Sequence, residues 1–282
     1  MAELILAGRE TDVPVEHRSE TGEIHAYTCR APDKDTPNED ACAVFAPWPG
    51  TLVLAVADGL GGAPSGDAAS AIALDRVSRH LERCEDESTL RAAIMDGFED
   101  ANAAILELAV GAGTTLVVTQ IVDTVLRAYH VGDSVALVVG QRGKYKLETM
   151  AHSPVGYGVA AGLIDPDAAL HHDDRHYLSN HLGANDMHIE VGSPLRLAPR
   201  DTLLLATDGL VDNLHMGEIV ELIRKGPLGL AAKGLAQRCA VRMETPDQGT
   251  PAKPDDATFI LYRTQQPGAN GGASQEPGGG RA

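Results

Sequence analysis

The sequence predicts an α+β fold in which helices cover antiparallel β-sheets. Two observations support this class: short apolar runs bounded by turn residues, which are typical of strands, and longer stretches with helical apolar periodicity. Along the chain these segments follow one another as strands, two helices, more strands, more helices and a final strand. A chain of 282 residues can bury a full hydrophobic core between such layers.

The first predicted elements are a β-hairpin and two helices. The strands span residues 41–46 and 51–58, and the Pro-Trp-Pro-Gly sequence between them is typical of a hairpin loop. Helical periodicity then extends over residues 66–84 and again over residues 88–110. Ser88 stands where the N-cap of the second helix is expected.

The rest of the chain alternates strands and helices. Tight turns predict an antiparallel meander of four strands, at residues 114–121, 125–131, 134–139 and 144–149. Residues 152–186 are rich in His, Asp and Gly, and an irregular segment of that length inside a domain is usually functional or mobile. The remaining elements are strands at 188–190, 202–207 and 258–262 and helices at 216–224 and 228–242.

The two ends of the chain differ from its centre. Residues 1–22 form a mixed N-terminal segment that can supply one edge strand, and residues 23–264 are expected to form the main domain. Residues 265–282 are rich in Gly and Pro and lack apolar periodicity, which predicts a disordered tail.

The composition narrows the class of function. A formal net charge of −17 argues against nucleic-acid binding and against binding to an anionic membrane, because both need basic residues. The four cysteines show no CxxC spacing, as expected of reduced thiols, and the sequence shows neither a signal peptide nor a membrane-spanning apolar run. We therefore expect a soluble, cytoplasmic monomer.

Four aspartates far apart in the chain stand where apolar, strand-like runs end: Asp58, Asp133, Asp208 and Asp255. A carboxylate at the end of a buried strand costs free energy unless another charge compensates it. Hard divalent cations prefer oxygen ligands, so one cluster of such cations can compensate all four aspartates. This pattern indicates metal-assisted hydrolysis more than a binding role.

Six short motifs occur in an order and at a relative spacing that resemble one known family. They are Asn38-Glu39-Asp40, Val56-Ala57-Asp58-Gly59-Leu60-Gly61-Gly62, Gly113-Thr114-Thr115, Val131-Gly132-Asp133-Ser134, Ala206-Thr207-Asp208-Gly209 and Asp255-Asp256-Ala257-Thr258. Over roughly residues 20–263 the chain resembles the metal-dependent protein phosphatases of the 2C type, and the bacterial members most of all. His152-Ser153 and the segment 161–164 resemble the flap of that family.

The resemblance implies a four-layer αββα sandwich of two antiparallel sheets flanked by helical pairs. It also implies two Mn²⁺ or Mg²⁺ ions that share the carboxylate of Asp58. The carbonyl of Gly59 would bind the first ion, and Asp208 and Asp255 would bind the second.

Other acidic residues take supporting roles in the same resemblance. Glu39 and Asp40 would hold water molecules bound to the metals. Asp133 matches the position that contributes to a third, weaker metal site in the bacterial members.

The activity that the resemblance implies is hydrolysis of phosphoserine and phosphothreonine in proteins by a metal-bridging hydroxide, which would reverse a Ser/Thr kinase. No Cys-x₅-Arg loop surrounds any of the four cysteines, so a cysteine nucleophile is not indicated. Two alternatives stay open. One is a weak or inactive phosphatase-fold module with a binding or regulatory role, and the other is a phosphatase acting on a small-molecule phosphate or a partner-switching regulator.

The position that binds the substrate phosphate in many family members has a different residue in this chain. Many members carry an arginine four residues before the position of Glu39, but Asp35 stands there in this chain. Lys34 and Arg30 are the candidates to replace it, although a lysine lacks the bidentate fork of a guanidinium. Where animal members place a histidine after the first Asp-Gly pair, this chain has Leu60.

Plainer interpretations exist for the individual aspartates. Asp58-Gly59 and Asp208-Gly209 can be strand ends in which glycine supplies a positive φ. Asp133 can cap the turn between Gly132 and Ser134. Asp256, which follows the expected ligand, is expected to be solvated or to cap backbone N–H groups.

Two further patterns are given their plainer interpretation. Gly61-Gly62 resembles a phosphate cradle, but a tight strand-to-helix connection is preferred. A group of four histidines suggests a zinc site, but without a Cys or carboxylate partner at helical spacing a solvated flap is favoured. These histidines are His171, His172, His176 and His181.

Overall fold

Two antiparallel β-sheets form the centre of the computed structural model, which describes residues 2–60, 65–245 and 250–264. The strands in these residues are β1 (Ala2–Ala7), β2 (Val15–Arg18), β3 (Gly22–Cys29), β4 (Asp40–Phe45), β5 (Thr51–Asp58), β6 (Leu116–Val122), β7 (Val125–Val131), β8 (Val135–Val139), β9 (Tyr145–Glu148), β10 (Glu190–Val191), β11 (Leu195–Arg196), β12 (Thr202–Ala206) and β13 (Ala257–Thr264). The helices are α1 (Gly66–Glu82), α2 (Glu87–Glu107), α3 (Pro154–Ala160), α4 (Pro166–Ala169), α5 (Asp208–Val211), α6 (Met216–Ile223) and α7 (Leu228–Glu244).

The strand order defines two sheets, which we call A and B. Sheet A has the order β1-β4-β5-β6-β7-β10, with β11 also paired to β7, and sheet B has the order β2-β3-β13-β12-β8-β9. The predicted α+β class with antiparallel sheets is confirmed, and so is the hairpin of β4 and β5. The N-terminal strands β1 and β2 lie at one edge of sheet A and sheet B, respectively.

Three apolar cores hold the layers together. Helices α1 and α2 pack on sheet A through a core that includes Val77 and Phe98. Helices α6 and α7 pack on sheet B through a core that includes Leu235 and Phe259. The third core lies between the sheets, where Leu54 of β5 is one of its members. The sequence of layers is therefore helix pair, sheet, sheet and helix pair, which confirms the αββα sandwich.

Side-chain alternation along the strands decides which residues face the opposite sheet. In β5, Leu54 and Val56 lie in the core between the sheets, so Asp58 continues that face at the end of the strand. In β4, Cys42 lies in the same core, and the same alternation places Asp40 on that face. Both carboxylates therefore lie at one end of the core between the sheets.

The predicted four-stranded meander is wrong. Strands β6 and β7 pair with each other in sheet A, whereas β8 and β9 pair in sheet B, so Gly132-Asp133 is a crossover between the sheets. Gly132 has a φ of 105°, and a Cβ there would lie 2.6 Å from the Cβ of Thr115, so glycine is required. Apolar runs on both sides are buried in either arrangement, which is why the sequence pattern could not separate them.

Several local predictions also differ from the structure. Helix α2 begins at Glu87, and its N-cap is Asp86 instead of Ser88, because the Asp86 carboxylate accepts a hydrogen bond from the N–H of Thr89 at 3.2 Å. The segment 152–186 is not wholly irregular, since it contains α3 and α4. The strand predicted at 188–190 is Glu190–Val191.

Strand β3 was not predicted, although it is buried along most of its length. Its polar residues hide the strand pattern: His25 is 5% exposed and faces Gly229 of α7, where an added Cβ would lie 3.0 Å from the ring. The interpretation of Gly61-Gly62 and of the tail at 265–282 falls outside the described residues. No helix in the described part of the chain is both long enough and apolar enough to cross a membrane.

Phe98 tests the outer core of sheet A, because its side chain is fully buried among α1, α2 and the sheet. We expect Phe98→Ala to lower the free energy of unfolding by about 3–5 kcal/mol, since the truncated side chain leaves a cavity. Urea denaturation in excess EDTA measures this loss. Leu106→Ala on the same helix is the control, because Leu106 is partly exposed; an equal loss in both variants would contradict this packing.

Candidate metal centre

Two carboxylates face each other directly at one end of sheet A. The register of β4 and β5 pairs Asp40 with Asp58, which brings their side chains together on the face between the sheets. Burial, followed by the charge of Asp40, raises the pKa of Asp58 well above its ordinary range. Burial also raises the pKa of Asp40, although a hydrogen bond from Thr207 opposes the shift. Both groups can ionise together only if positive charge compensates them.

Sheet B and the crossover supply three more carboxylates. Asp208 is the first residue of α5, directly after β12, and Asp255 lies shortly before β13. Burial, followed by the charge of Asp208, raises the pKa of Asp255. Burial, with Asp208 and Asp212, raises the pKa of Asp133 to about 8. The charges of Asp208, Asp255 and Asp133 all raise the pKa of Asp58. Both sheets therefore contribute to one acidic cluster.

Both Asp-Gly pairs need glycine because two backbone segments approach each other closely. A Cβ on Gly59 would lie 2.4 Å from the carbonyl oxygen of Gly66, and a Cβ on Gly209 would lie 1.8 Å from that of Asp256. Neither glycine has a positive φ. The plainer interpretation, in which glycine supplies a positive φ, is therefore wrong. The glycines instead let β5 meet the start of α1 and let α5 meet the residues before β13.

Asp256 organises the segment between β3 and β4. Its carboxylate accepts hydrogen bonds from the N–H groups of Ala31 at 2.8 Å and Glu39 at 2.7 Å. The Lys34 ammonium lies 2.6 Å from the Asp256 carboxylate and 2.7 Å from that of Glu39. Of the two expectations for Asp256, backbone capping is confirmed and solvation is wrong, since the residue is 3% exposed.

A chain of buried polar groups supports Asp40. Thr207 Oγ1 donates to Asp40 Oδ2 at 2.9 Å and accepts from the N–H of Thr258 at 3.0 Å. Thr258 Oγ1 donates to Thr28 Oγ1 at 2.7 Å, and that oxygen also accepts from Asn38 Nδ2 at 2.9 Å. Asp40 Oδ1 is buried without a hydrogen-bond partner among the described residues. An unpaired buried carboxylate oxygen is costly, so this atom indicates a place for a ligand or a bound water.

The donor groups fit hard divalent cations, because the candidates are carboxylate and carbonyl oxygens without a thiolate. No three carboxylates of the described cluster bring their oxygens within 4.8 Å of one another. A centre with two metals divides its ligands between ions about 3.5–4 Å apart, so convergence on one point is not required.

Lys253 lies inside the acidic cluster and was not predicted. Its ammonium forms ion pairs with Asp208, with Asp255 at 2.9 Å and with Asp212 at 3.2 Å. Burial opposes the charged form, but the three carboxylates outweigh burial and raise the pKa of Lys253. Asp212 was also missed, although its position four residues after Asp208 is the spacing that places two side chains on one helical face. Lys253 has no comparable signal in the sequence.

The two candidates for phosphate binding have partners elsewhere. Lys34 bridges Glu39 and Asp256, as described above. Arg30 Nε lies 3.4 Å from Glu10 Oε1, and its Nη1 donates to the carbonyl of Thr36 at 3.5 Å. Of the two, only Lys34 contacts a carboxylate of the candidate site, and the phosphate-binding role of either residue stays a prediction.

Outside the aspartate cluster, one group of potential metal ligands in the described residues has its donor atoms within 4.8 Å of one another. It consists of His130, His152 and Glu190. His130 Nε2 donates to the carbonyl of Met150 at 2.9 Å, so it carries a proton. His152 Nδ1 accepts from the N–H of Gly132 at 3.1 Å, which leaves the proton on Nε2, 3.2 Å from Glu190. Because both nitrogens facing the gap hold protons, hydrogen bonding is favoured over metal binding here.

The His152 network joins the crossover to the segment 152–186. Asn180 Nδ2 donates to His152 Nδ1 at 2.9 Å and to the carbonyl of His188 at 2.8 Å. The rings of His130 and His152 stack with centroids 4.4 Å apart. The other four histidines of this region do not form a metal-binding group among the described residues: His171, His172, His176 and His181.

A partly buried cluster of carboxylates at the end of a two-sheet core fits the donor set of a metal-dependent hydrolase. The family model described as protein phosphatase 2C matches residues 30–225. This match covers more than half of the chain, so the chain belongs to the protein phosphatase 2C family.

Curated relatives and solved structures agree with this assignment. Protein phosphatase PhpP of Streptococcus pneumoniae is 29% identical over 199 residues, which cover 67% of this chain and 80% of PhpP. The structure of serine/threonine phosphatase Stp1 from Staphylococcus aureus is similar with a TM-score of 0.76 at 25% identity, over 93% of this chain and 100% of Stp1. The catalytic domain of PstP in complex with two manganese ions shares the fold, with a TM-score of 0.67 at 23% identity over 86% of this chain and 98% of that domain.

His152 predicts how stability changes with pH. Burial lowers the pKa of His152, although the hydrogen bond that His152 donates to Glu190 opposes this shift, and burial also lowers the pKa of His130. A lowered pKa in the folded state gives stability that is present above the unfolded pKa of about 6.5 and is lost as the pH falls below it. Between about pH 7.5 and about pH 5.5 we expect wild type to lose more free energy of unfolding than His152→Gln, by at most about 1.4 kcal/mol per pH unit.

Urea denaturation in EDTA at each pH measures this difference. The carboxylate cluster titrates in both proteins, so its contribution cancels in the comparison. Equal pH slopes for wild type and His152→Gln would show that His152 is not held neutral by burial.

Proposed function

We propose that the acidic cluster holds two Mn²⁺ or Mg²⁺ ions, with a third, weaker ion at Asp133. Asp58 is the shared ligand, the carbonyl of Gly59 binds the first ion, and Asp208 and Asp255 bind the second. As a member of the protein phosphatase 2C family, the chain is a metal-dependent protein serine/threonine phosphatase, and these ions belong to its catalytic centre.

The direct opposition of Asp40 and Asp58 is the observation that carries this proposal. A buried carboxylate, Asp40, beside a half-buried one, Asp58, is unfavourable without a cation between or beside them. In the described part of the chain, no Lys, Arg or His forms an ion pair with either residue. The two manganese ions in the PstP complex, a protein with the same fold, are consistent with a centre of this kind.

Glu39 and Asp40 are proposed to hold the water molecules bound to the ions. Asp40 presents the buried oxygen Oδ1, which has no other partner among the described residues. Two contacts fix Glu39 beside the cluster. The Glu39 carboxylate pairs with the Lys34 ammonium, and the Glu39 N–H donates to the Asp256 carboxylate. These contacts orient Glu39, and the hydrogen bond from the Thr207 hydroxyl orients Asp40.

Divalent ions at such a site neutralise the charge of a phosphate ester and lower the pKa of a bound water. The chain itself supplies position and orientation: the hydroxyl of Thr207 fixes Asp40, and the close approach at Gly209 fixes Asp208 against the Asp256 backbone. Burial raises the pKa of the Cys42 and Cys239 thiols. Protonated thiols are poor nucleophiles, so neither of these two cysteines is favoured as a nucleophile.

Phosphoserine and phosphothreonine proteins are the proposed substrates, as the names of the serine/threonine phosphatases Stp1 and PstP suggest. We further propose that the chain opposes a Ser/Thr kinase, acts in the cytoplasm and works as a monomer. A weak or inactive binding module is not favoured, because every aspartate of the implied ligand set is present.

Asp208→Asn tests the metal ligands, because it removes a ligand charge with little change in size. With Mn²⁺ present, we expect turnover of p-nitrophenyl phosphate and of a phosphothreonine peptide to fall by at least about 10- to 100-fold. EDTA should abolish turnover by wild type. Steady-state kinetics on both substrates measures the effect.

Asp96→Asn is the matched control for this experiment. Asp96 is exposed on α2, so the same change of charge there should leave turnover unaltered. Turnover that survives EDTA, or an Asp208→Asn variant as active as Asp96→Asn, would overturn the proposed centre.

Residues 23–264 are proposed as the catalytic domain, and residues 152–186 as a flap that sets substrate preference. Two contacts bring the flap to the border of the acidic cluster. Arg175 Nε lies 3.6 Å from Asp212 Oδ2, and Leu182 pairs with Thr114, which in turn pairs with Gly59. Protein substrates are large enough to touch a flap in this position, whereas small phosphate esters are not.

Leu163 tests the flap, because its apolar side chain is 84% exposed there. We expect Leu163→Ser to raise the KM for a phosphothreonine peptide by about 5-fold, the equivalent of a contact worth about 1 kcal/mol. The kcat/KM for p-nitrophenyl phosphate should stay the same. Leu230→Ser on α7 is the control, since Leu230 is also highly exposed but lies outside the flap.

The same assays separate protein substrates from small ones. Equal losses on both substrates in Leu163→Ser would show that the flap does not select proteins. Strong turnover of small esters without any turnover of phosphopeptides would favour the small-molecule phosphatase.

A further inference from the structure

Lys253 places a positive charge where the proposed centre places a metal. Its ammonium contacts Asp208, Asp255 at 2.9 Å and Asp212 at 3.2 Å, and its side chain is 22% exposed. Asp208 and Asp255 are the proposed ligands of the second ion. None of the proposed chemical steps uses this lysine, so its place among the ligands needs another explanation.

The backbone of Lys253 is fixed close to α5. Its N–H donates to Asn213 Oδ1 at 2.8 Å, and its carbonyl accepts from Asn213 Nδ2 at 2.8 Å. The same Asn213 nitrogen donates to the carbonyl of Gly209 at 2.8 Å, and Asn213 is fully buried. The main chain of Lys253 is therefore tied to the residue that follows Asp208, and only its side chain has freedom to move.

An ammonium and a divalent ion cannot occupy this place together. An ion such as Mg²⁺ binds carboxylate oxygens at about 2.0–2.1 Å, so its position between Asp208 and Asp255 overlaps that of the Lys253 nitrogen. The two positive charges also repel each other. The lysine has three N–H donors, which match the three carboxylates that it contacts.

We propose that Lys253 is a tethered competitor of the second metal ion, which holds Asp208 and Asp255 in the metal-free protein and withdraws when the ion binds. This inference rests on the proposed ligand roles of Asp208 and Asp255. Asp212 is not a proposed ligand, so it can keep the displaced ammonium as a partner. Lys253 thereby raises the metal concentration that the phosphatase needs.

The test compares Mn²⁺ binding by wild type and Lys253→Met, which keeps the length of the side chain and the Asn213 contacts but removes the charge. Isothermal titration calorimetry on the full chain, after removal of metal with EDTA, gives the dissociation constant. We expect Lys253→Met to bind Mn²⁺ about 3- to 10-fold more tightly at one site. In EDTA its Tm should be lower than that of wild type, and excess Mn²⁺ should close the gap.

Lys146→Met is the matched control, because Lys146 pairs with Asp201 at 2.6 Å and touches none of the proposed ligands. Its Mn²⁺ affinity should equal that of wild type. Lys253→Gln provides a second uncharged variant if Lys253→Met does not fold. Equal or weaker Mn²⁺ binding by the folded Lys253 variant would overturn the inference.

Asp208→Asn separates this inference from the proposed function. If Asp208→Asn loses one Mn²⁺ site while the Lys253 variants bind as wild type does, only the competition by Lys253 is refuted. If Asp208→Asn binds Mn²⁺ as tightly as wild type, the ligand assignment itself fails, and this inference fails with it.

Discussion

The structure of the centre depends on the pairing of Asp40 with Asp58 across β4 and β5. A register that places the half-buried carboxylate of Asp58 opposite the buried carboxylate of Asp40 is unfavourable for folding by itself. The surrounding residues reduce this cost without removing it, since the Thr207 hydroxyl serves one oxygen of Asp40 while the other stays unpaired among the described residues. The remaining need for positive charge is what links this fold to metals.

The two lysines near the centre neutralise its flanks and leave its middle uncompensated. On one side, Lys34 forms ion pairs with Glu39 and Asp256. On the other side, Lys253 forms ion pairs with Asp208, which follows β12, and with Asp255, which precedes β13. In the described residues no basic side chain pairs with Asp58. The protein can therefore fold as a stable unit around most of these acidic residues, while the carboxylate of Asp58, the proposed shared ligand, stays free to bind a divalent ion.

Much of the fold and of the site could be predicted from the sequence, because periodicity marks buried strands and Asp-Gly motifs mark their ends. The hairpin of β4 and β5, the helix pairs and the family were all predicted correctly. The assignment of strands to sheets could not be predicted, since a turn at Gly132 serves a hairpin or a crossover equally well. The backbone capping by Asp256 was among its two expectations but its burial was not, and Lys253 was missed, because the partners of both residues, such as Ala31 and Asp208, lie far along the chain.

The position of β13, late in the chain but in the middle of sheet B, determines when sheet B can be completed during synthesis. This strand lies in the middle of sheet B between β3 and β12, and Asp255 and Asp256 directly precede it. A ribosome-bound chain that has not yet exposed residues 255–264 lacks a ligand candidate, the carboxylate that fixes the N–H groups of Ala31 and Glu39, and one of the two strands that pair with β3. The middle of sheet B and the complete acidic cluster can therefore assemble only after this late segment of the chain is available.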